Sequence, residues 1–208
     1  MPAPTFIAPR SHLLQKYTSC RTLFMCCDIQ EKLRSKIGNF SDAVVISNGM
    51  AVLHTVLTPQ FSTFVATEHA PEITGTIAKD IQLPEGTPLF VKQQPSMLVS
   101  EMLPYLEGNP EKGLLPVQQA VLWGHESHVC ILQTADELLQ RNIRVAVLAD
   151  GCAAQKDIDH QTAMQAMASW DGLTLTTFVS VMLQLTHNDP ALMKVVWKLM
   201  KGKRTPNA

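Results

Sequence analysis

Short apolar runs alternate along the chain with longer stretches in which apolar positions recur at helical spacing. Thr22–Cys27 is almost wholly apolar, as expected of a strand covered on both faces. After Asn39-Phe40-Ser41 the spacing predicts a helix over Ala43–Leu57, stopped by Pro59. Ser62–Thr67 and Pro88–Val91 predict a second and a third strand, and Ala120–Trp123, just before Gly124, a fourth. A helix follows over His128–Gln140, then a fifth strand over Ile143–Leu148. Asp157–Trp170 predicts a helix, Leu173–Thr177 a sixth strand, and Phe178–Leu185 and Ala191–Met200 two closing helices. Strands alternating with helices imply an α/β fold, because right-handed crossovers put helices on both faces of a parallel sheet.

Composition narrows this further. A chain of 208 residues, 46% hydrophobic, suits one domain, expected over residues 21–200. Residues 1–20 are expected to form a flexible arm or a targeting segment, and 201–208 a frayed tail. No acidic residue precedes Asp28, whereas Arg10, Lys16 and Arg21 are basic, a composition like that of a mitochondrial leader. Pro2, Pro4 and Pro9 argue against an amphipathic helix there, so cytoplasmic and mitochondrial locations both stay open. The net charge is −1 with no basic run, so no nucleic-acid partner is expected. No apolar run approaches the ~18 residues of a membrane span. The five cysteines are odd in number and form no CxxC pair, which speaks for a reducing compartment rather than a disulfide framework. The ten methionines are scattered, as core filler is.

Ligands in parallel sheets bind beyond the carboxyl ends of the strands. Three reactive residues fall there: Asp28 after the first strand, Lys92 after the third, and Cys130 early in the helix after the fourth. Singly, each has a bland explanation, as a helix cap, a surface cation and a core thiol. Together they favour chemistry. A helix start and a nearby cation favour a thiolate, a carboxylate can take the thiol proton and return it, and an ammonium steadies both charges. His125 and His128 with Cys130 could be read as metal ligands, but their spacing matches no zinc pattern, so neither metal nor cofactor is expected. Glu68 and His69 end the second strand, Glu68 as a pocket candidate and His69 more simply as a solvated loop residue. Cys152 is expected to be structural.

The segment Leu23 to Gln30, with its apolar strand leading into Asp28-Ile29-Gln30, resembles the opening of the isochorismatase-like cysteine hydrolases. Trp123 to Ile131, continuing through Thr134-Ala135 to Arg141 and Asp150, resembles their nucleophile segment, and Lys92 stands at the family lysine's place. The similarity runs from about Thr22 to Leu185 and is greatest to the small eukaryotic members, including kinetoplastid ones labelled mitochondrial-associated ribonuclease. The resemblance implies a three-layer α/β/α Rossmann-like sandwich on a six-stranded parallel sheet, and an Asp28–Lys92–Cys130 triad hydrolysing a small amide or related C–N substrate. It also implies a cis peptide at His125–Glu126, an oxyanion hole from the N–H groups of Glu126 and Cys130, and assembly into dimers or tetramers. Gln30, Glu68, His125 and His128 become pocket candidates. Glu31-Lys32-Leu33 departs from the Asn-Asp-Phe common after Asp-x-Gln, and no metal-binding Asp-x-His pattern lies between Thr67 and Lys92. Two other readings stay open: a catalytically silent oligomeric binding or scaffold protein, and a ribonuclease using His125 and His128 as acid and base.

Overall fold

The computed structural model describes residues 13–109, 111 and 113–203. Six strands form one all-parallel sheet in the order β3-β2-β1-β4-β5-β6: β1 Arg21–Cys27, β2 Ser62–His69, β3 Leu89–Lys92, β4 Val117–His125, β5 Arg144–Ala153 and β6 Leu173–Thr176. The chain winds outward in one direction from β1 to β3, then restarts beside β1 with β4. Every residue of β1 is buried, because helices cover both of its faces. On one side α1 (Phe40–Val56) packs with α6 (Phe178–Thr186) and α7 (Pro190–Lys203). On the other, α4 (Leu132–Gln140) and α5 (Asp157–Met167) pack around a π-helical turn over Ser127–Ile131. Two further α-helices, α2 (Pro71–Thr74) and α3 (Leu103–Leu106), and a 3-10 helix over Glu31–Leu33 are single turns. Among the described residues no helix is long and apolar enough to cross a membrane.

Several elements differ from the sequence pattern for identifiable reasons. β4 continues past Trp123, since Gly124 and His125 still pair with Cys152 and Ala153 of a longer β5. Lys92 closes β3 rather than following it, paired in register with His69. The helix expected from His128 begins instead with the π-turn, where the Ile131 N–H bonds the Glu126 carbonyl. α7 extends through Lys203, and residues 204–208 lie outside the described residues.

The expected arm is a correction in part. Residues 1–12 lie outside the described residues, but 13–20 pack onto the domain. Leu14 and Cys20 are buried, the Gln15 N–H donates to Gln119 Oε1 at 2.9 Å, and the Tyr17 N–H donates to the Leu185 carbonyl. Arg21 opens β1 with a buried guanidinium that donates to Thr63 Oγ1 and to the carbonyls of Glu107 and Leu115.

The strand-order reversal between β1 and β4 opens a crevice at their carboxyl ends, as it does in other doubly wound sheets. Gly124 makes that meeting possible. Its φ is +123°, and a Cβ there would lie 1.9 Å from the Cys27 carbonyl oxygen. Gly124→Ala is therefore expected to destabilise the fold by at least about 3 kcal/mol, through both backbone strain and overlap. Urea unfolding of the purified variant checks this, and a loss under ~1 kcal/mol would contradict it.

Candidate active site

β1 ends at Cys27, and Asp28 turns into the left-handed region at φ 47°. That turn interrupts strand alternation, so neighbouring side chains 27 and 28 approach each other: Cys27 Sγ lies 3.4 Å from Asp28 Oδ2. Asp28 is buried, and its other oxygen accepts from Thr67 Oγ1 at 2.8 Å. Lys92 reaches in from the sheet edge with no exposed side-chain surface and sets Nζ 2.7 Å from Asp28 Oδ2. The same ammonium lies 3.3 Å from Cys130 Sγ and donates to the Pro95 carbonyl at 2.9 Å. Cys130 comes from the π-turn above β4, and its carbonyl accepts from Thr134 Oγ1 at 2.6 Å. Thr134 in turn accepts from the Met97 N–H, tying the nucleophile segment to the loop after β3.

The electrostatics separate the thiols. The neighbouring Cys27 thiol and the Lys92 charge hold Cys130 below the ordinary thiol value, against burial and the Asp28 carboxylate. Burial pushes Cys27 well above that value, and the nearby Cys130 and Asp28 add to the rise. Burial also pushes Cys26 and Cys152 up to about 12 and Cys20 to about 11. Burial alone would lower Lys92, but the surrounding sulfurs and Asp28 outweigh it and its pKa is raised. Cys130 thus stands apart as the thiol closest to ionisation.

Asp28 and Cys130 line a cavity of about 470 Å³, a size suited to a small molecule. Gln30, Leu33, Lys36, His69, Ile73, His125, Glu126 and Gln155 complete much of its wall. Gln30 also braces that wall, donating to the His69 carbonyl and Thr74 Oγ1 and accepting from the His69 N–H. Glu126, joined to His125 by a cis peptide, accepts two hydrogen bonds from Gln155 at 2.8 Å. His125 is fully buried against Phe40, and neither ring nitrogen has a hydrogen-bond partner.

Two candidates are corrected. Glu68 faces away from the cavity and accepts from the Ile77 N–H at 2.6 Å, because strand alternation gives the site side to Thr67 and His69. His128 is a third exposed and pairs with Asp159 at 3.9 Å. Residues two apart on a helical turn point to roughly opposite sides, so His128 does not join Cys130. His69, expected in solvent, stands in the wall with Nδ1 3.3 Å from Lys92 Nζ. Thr67 and Cys27 are site residues that the sequence reading missed. Applying the two-residue period to β2 would have found Thr67, whereas Cys27 depends on the left-handed turn at Asp28. As a metal site, His125, His128 and Cys130 do not converge. Among the described residues the ligating atoms of Cys27, Asp28 and Cys130 lie within 4.8 Å of one another, but two of them already hold a cation, the Lys92 ammonium, at 2.7 Å from Asp28 Oδ2 and 3.3 Å from Cys130 Sγ.

A six-stranded, doubly wound parallel sheet with helices on both sides is the fold of the isochorismatase-like α/β hydrolases. Residues 22–180 match the Isochorismatase domain, and the chain belongs to that family. It is 33% identical over 164 residues to isochorismatase domain-containing protein 1 of Danio rerio, covering 79% of this chain and 55% of that relative. The chain thus matches about half the length of that relative. A hypothetical protein from Trypanosoma cruzi superposes with a TM-score of 0.86 at 41% identity, covering 92% of this chain and 96% of the other. A Leishmania major protein provisionally named MAR1 ribonuclease superposes equally, at 0.86 with 36% identity over 95% and 99% of the two chains.

The buried His125 makes stability depend on pH. Burial lowers its pKa from 6.5 to about 4, so above pH 6.5 it is neutral folded or unfolded. As pH falls from 6.5 towards 4, the unfolded chain gains a proton that the folded chain resists, and stability is lost. The expected loss attributable to His125 is about 3 kcal/mol. His125→Phe should shrink the fall measured by urea unfolding across that window, leaving the part due to His54 and His160, whose pKa values burial also lowers. An unchanged slope would contradict it.

Proposed function

We propose that this chain is a cysteine-dependent hydrolase that cleaves a small amide or related C–N substrate with Asp28, Lys92 and Cys130. The observation that carries this reading is one buried ammonium, Lys92 Nζ, held at 2.7 Å from the carboxylate of Asp28 and 3.3 Å from the thiol of Cys130, two residues that line a small-molecule cavity. Membership in a family of hydrolases agrees with it.

The Cys130 proton passes to Asp28, and the thiolate attacks the substrate carbonyl carbon. The backbone N–H groups of Glu126 and Cys130 receive the oxyanion. As the C–N bond breaks, Asp28 returns its proton to the leaving nitrogen, and a thioester remains on Cys130. Asp28, again a carboxylate, then takes a proton from water, whose oxygen attacks the thioester. Collapse releases the carboxylic acid and restores the thiol. Lys92 holds its charge throughout, orienting Asp28 and favouring the thiolate. His125, neutral at pH 7, is part of the cavity wall and takes no proton in these steps.

On this reading Cys130→Ala and Asp28→Asn each lower turnover of small amides by about 10³-fold or more. A panel of primary amides, ureas and carbamoyl compounds supplies the test, and undiminished turnover by Cys130→Ala would overturn the reading. Iodoacetamide labelling needs no substrate: at pH 7 Cys130 should alkylate faster than Cys20, Cys26, Cys27 or Cys152. Equal rates count against an activated thiol.

A ribonuclease reading draws on the name of the Leishmania major protein. The acid–base pair it requires would be His125 and His128, but one is buried in the cavity wall and the other pairs with Asp159 outside it. Homo-oligomers are also part of the proposal, supported by the exposed Val45, Val52 and Trp197. Light scattering on the full chain is expected to give a multiple of the 23.0 kDa chain mass, and a monomer would refute it.

A further inference from the structure

One reactive atom beside Cys130 has no part in the proposed hydrolysis. Cys27 Sγ, an Asp28 oxygen and Cys130 Sγ all lie within 4.8 Å of one another. We propose that Cys27 is a resolving thiol, so that a hydroperoxide entering the cavity converts Cys27 and Cys130 into a reversible intramolecular disulfide. This rests on the reading of Cys130 as the reactive thiol.

The placement of the two sulfurs supports an order of events. Cys130 faces the cavity, whereas Cys27 is fully buried behind it. A small oxidant therefore meets Cys130 first, and Cys27 is reached through Cys130. Lys92 Nζ, 3.3 Å from Cys130 Sγ, favours the thiolate that such oxidation requires. Cys26 is not available in place of Cys27, because alternation along β1 turns it to the other face of the sheet, 3.3 Å from Ser47 Oγ of α1. Cys27 Sγ donates to Asp28 Oδ2 at 3.4 Å, so a base for its proton is already in contact.

The steps balance. The Cys130 thiolate, its proton held on Asp28, attacks one peroxide oxygen, the O–O bond breaks, and the departing hydroxide or alkoxide takes that proton from Asp28 and leaves as water or alcohol. Cys130 is now a sulfenic acid. Cys27 then loses its proton to Asp28, and its sulfur attacks the Cys130 sulfur. The S–O bond breaks, the hydroxyl takes the proton from Asp28, and water leaves. Two thiols are oxidised by two electrons in all, and the peroxide is reduced by the same two. Without a neighbouring thiol, a sulfenic acid in an open cavity goes on to sulfinic acid, which ordinary thiols do not reverse. Closing the bond requires side-chain rotation, from within 4.8 Å to the ~2.05 Å of a disulfide.

The test uses the full chain, reduced and then treated with hydrogen peroxide. Remaining thiols are blocked with N-ethylmaleimide in guanidinium, and the protein is digested without reduction for mass mapping. The expected product joins the peptide holding Cys27 to that holding Cys130, two hydrogens lighter than their sum, and dithiothreitol dissolves it. Because Cys26 shares the Cys27 peptide, fragment ions assign the sulfur, and Cys26→Ala should keep the link while Cys27→Ala abolishes it. In Cys27→Ala the share of oxidised Cys130 that dithiothreitol restores should fall about tenfold as sulfinic acid accumulates. Cys130 recovered as sulfinic acid in the natural chain with Cys27 free would overturn the proposal. So would a bond from Cys130 to another cysteine or another chain, or no oxidation of either thiol. If Cys27→Ala fails to fold, the map of the natural chain decides alone. Undiminished amide turnover by Cys130→Ala would defeat the hydrolase reading without touching this map, whereas a missing link beside an inactive Cys130→Ala would defeat only the disulfide.

Discussion

An ammonium and a carboxylate 2.7 Å apart, both withdrawn from water, are costly to place in a protein interior. Each loses several kcal/mol of hydration, and their attraction compensates only when the remaining donors and acceptors are also satisfied. Here they are. Asp28 accepts from Thr67 and Cys27, and Lys92 donates to backbone carbonyls of the loop after β3. The pair fixes the carboxyl ends of β1, β2 and β3 relative to one another. That matters most for β3, a four-residue edge strand whose Leu89 and Val91 are exposed and supply little apolar anchorage. Lys92 is the buried residue of that strand, so the charge that serves the cavity also holds the edge of the sheet.

Most of the fold was legible in the sequence because both faces of the sheet are covered. A strand buried on two sides must be apolar throughout, and Leu23 to Cys27 or Val145 to Leu148 show this without any knowledge of their partners. Strand ends were less legible. Gly124, His125 and the stretch to Ala153 lengthen β4 and β5 by mutual pairing, a tertiary effect that no local pattern carries. Within the expected arm, the contacts of Leu14 to Tyr17 were hidden for a similar reason, because they are made with distant Gln119, Gln184 and Leu185.

Of the candidate site, Asp28, Lys92 and Cys130 could be placed at one sheet edge from their positions after strands. What could not be placed were side-chain directions. Glu68 and His69 are adjacent in sequence and opposite in direction, and the expectation of Glu68 in the pocket and His69 in solvent placed each on the other's side. Cys26 and Cys27 present the same problem, compounded by the backbone at Asp28. A left-handed residue at a strand end lets two consecutive side chains meet, and an Asp at that position gives only a weak hint of it. His125 shows a different limit. Its position in the cavity wall was a reasonable expectation, but its lack of any partner is a property of everything packed around it.

The unpaired nitrogens of His125 and the paired thiols beside Asp28 bear on one question, namely what the cavity tolerates when empty. A buried imidazole without partners costs stability that a hydrogen-bonding ligand can recover. The Lys92 charge that favours a Cys130 thiolate makes the same sulfur a target for any small electrophile or oxidant that enters. Lowering a thiol's pKa further would not remove the exposure to oxidants, because intrinsic nucleophilicity falls more slowly than the thiolate fraction rises until the pKa reaches the ambient pH. Keeping a reactive thiol in an open cavity therefore requires either restricted entry or a nearby partner for the oxidised sulfur. Cys130 retains an open route through the cavity, and Cys27 is the thiol placed to meet it from behind.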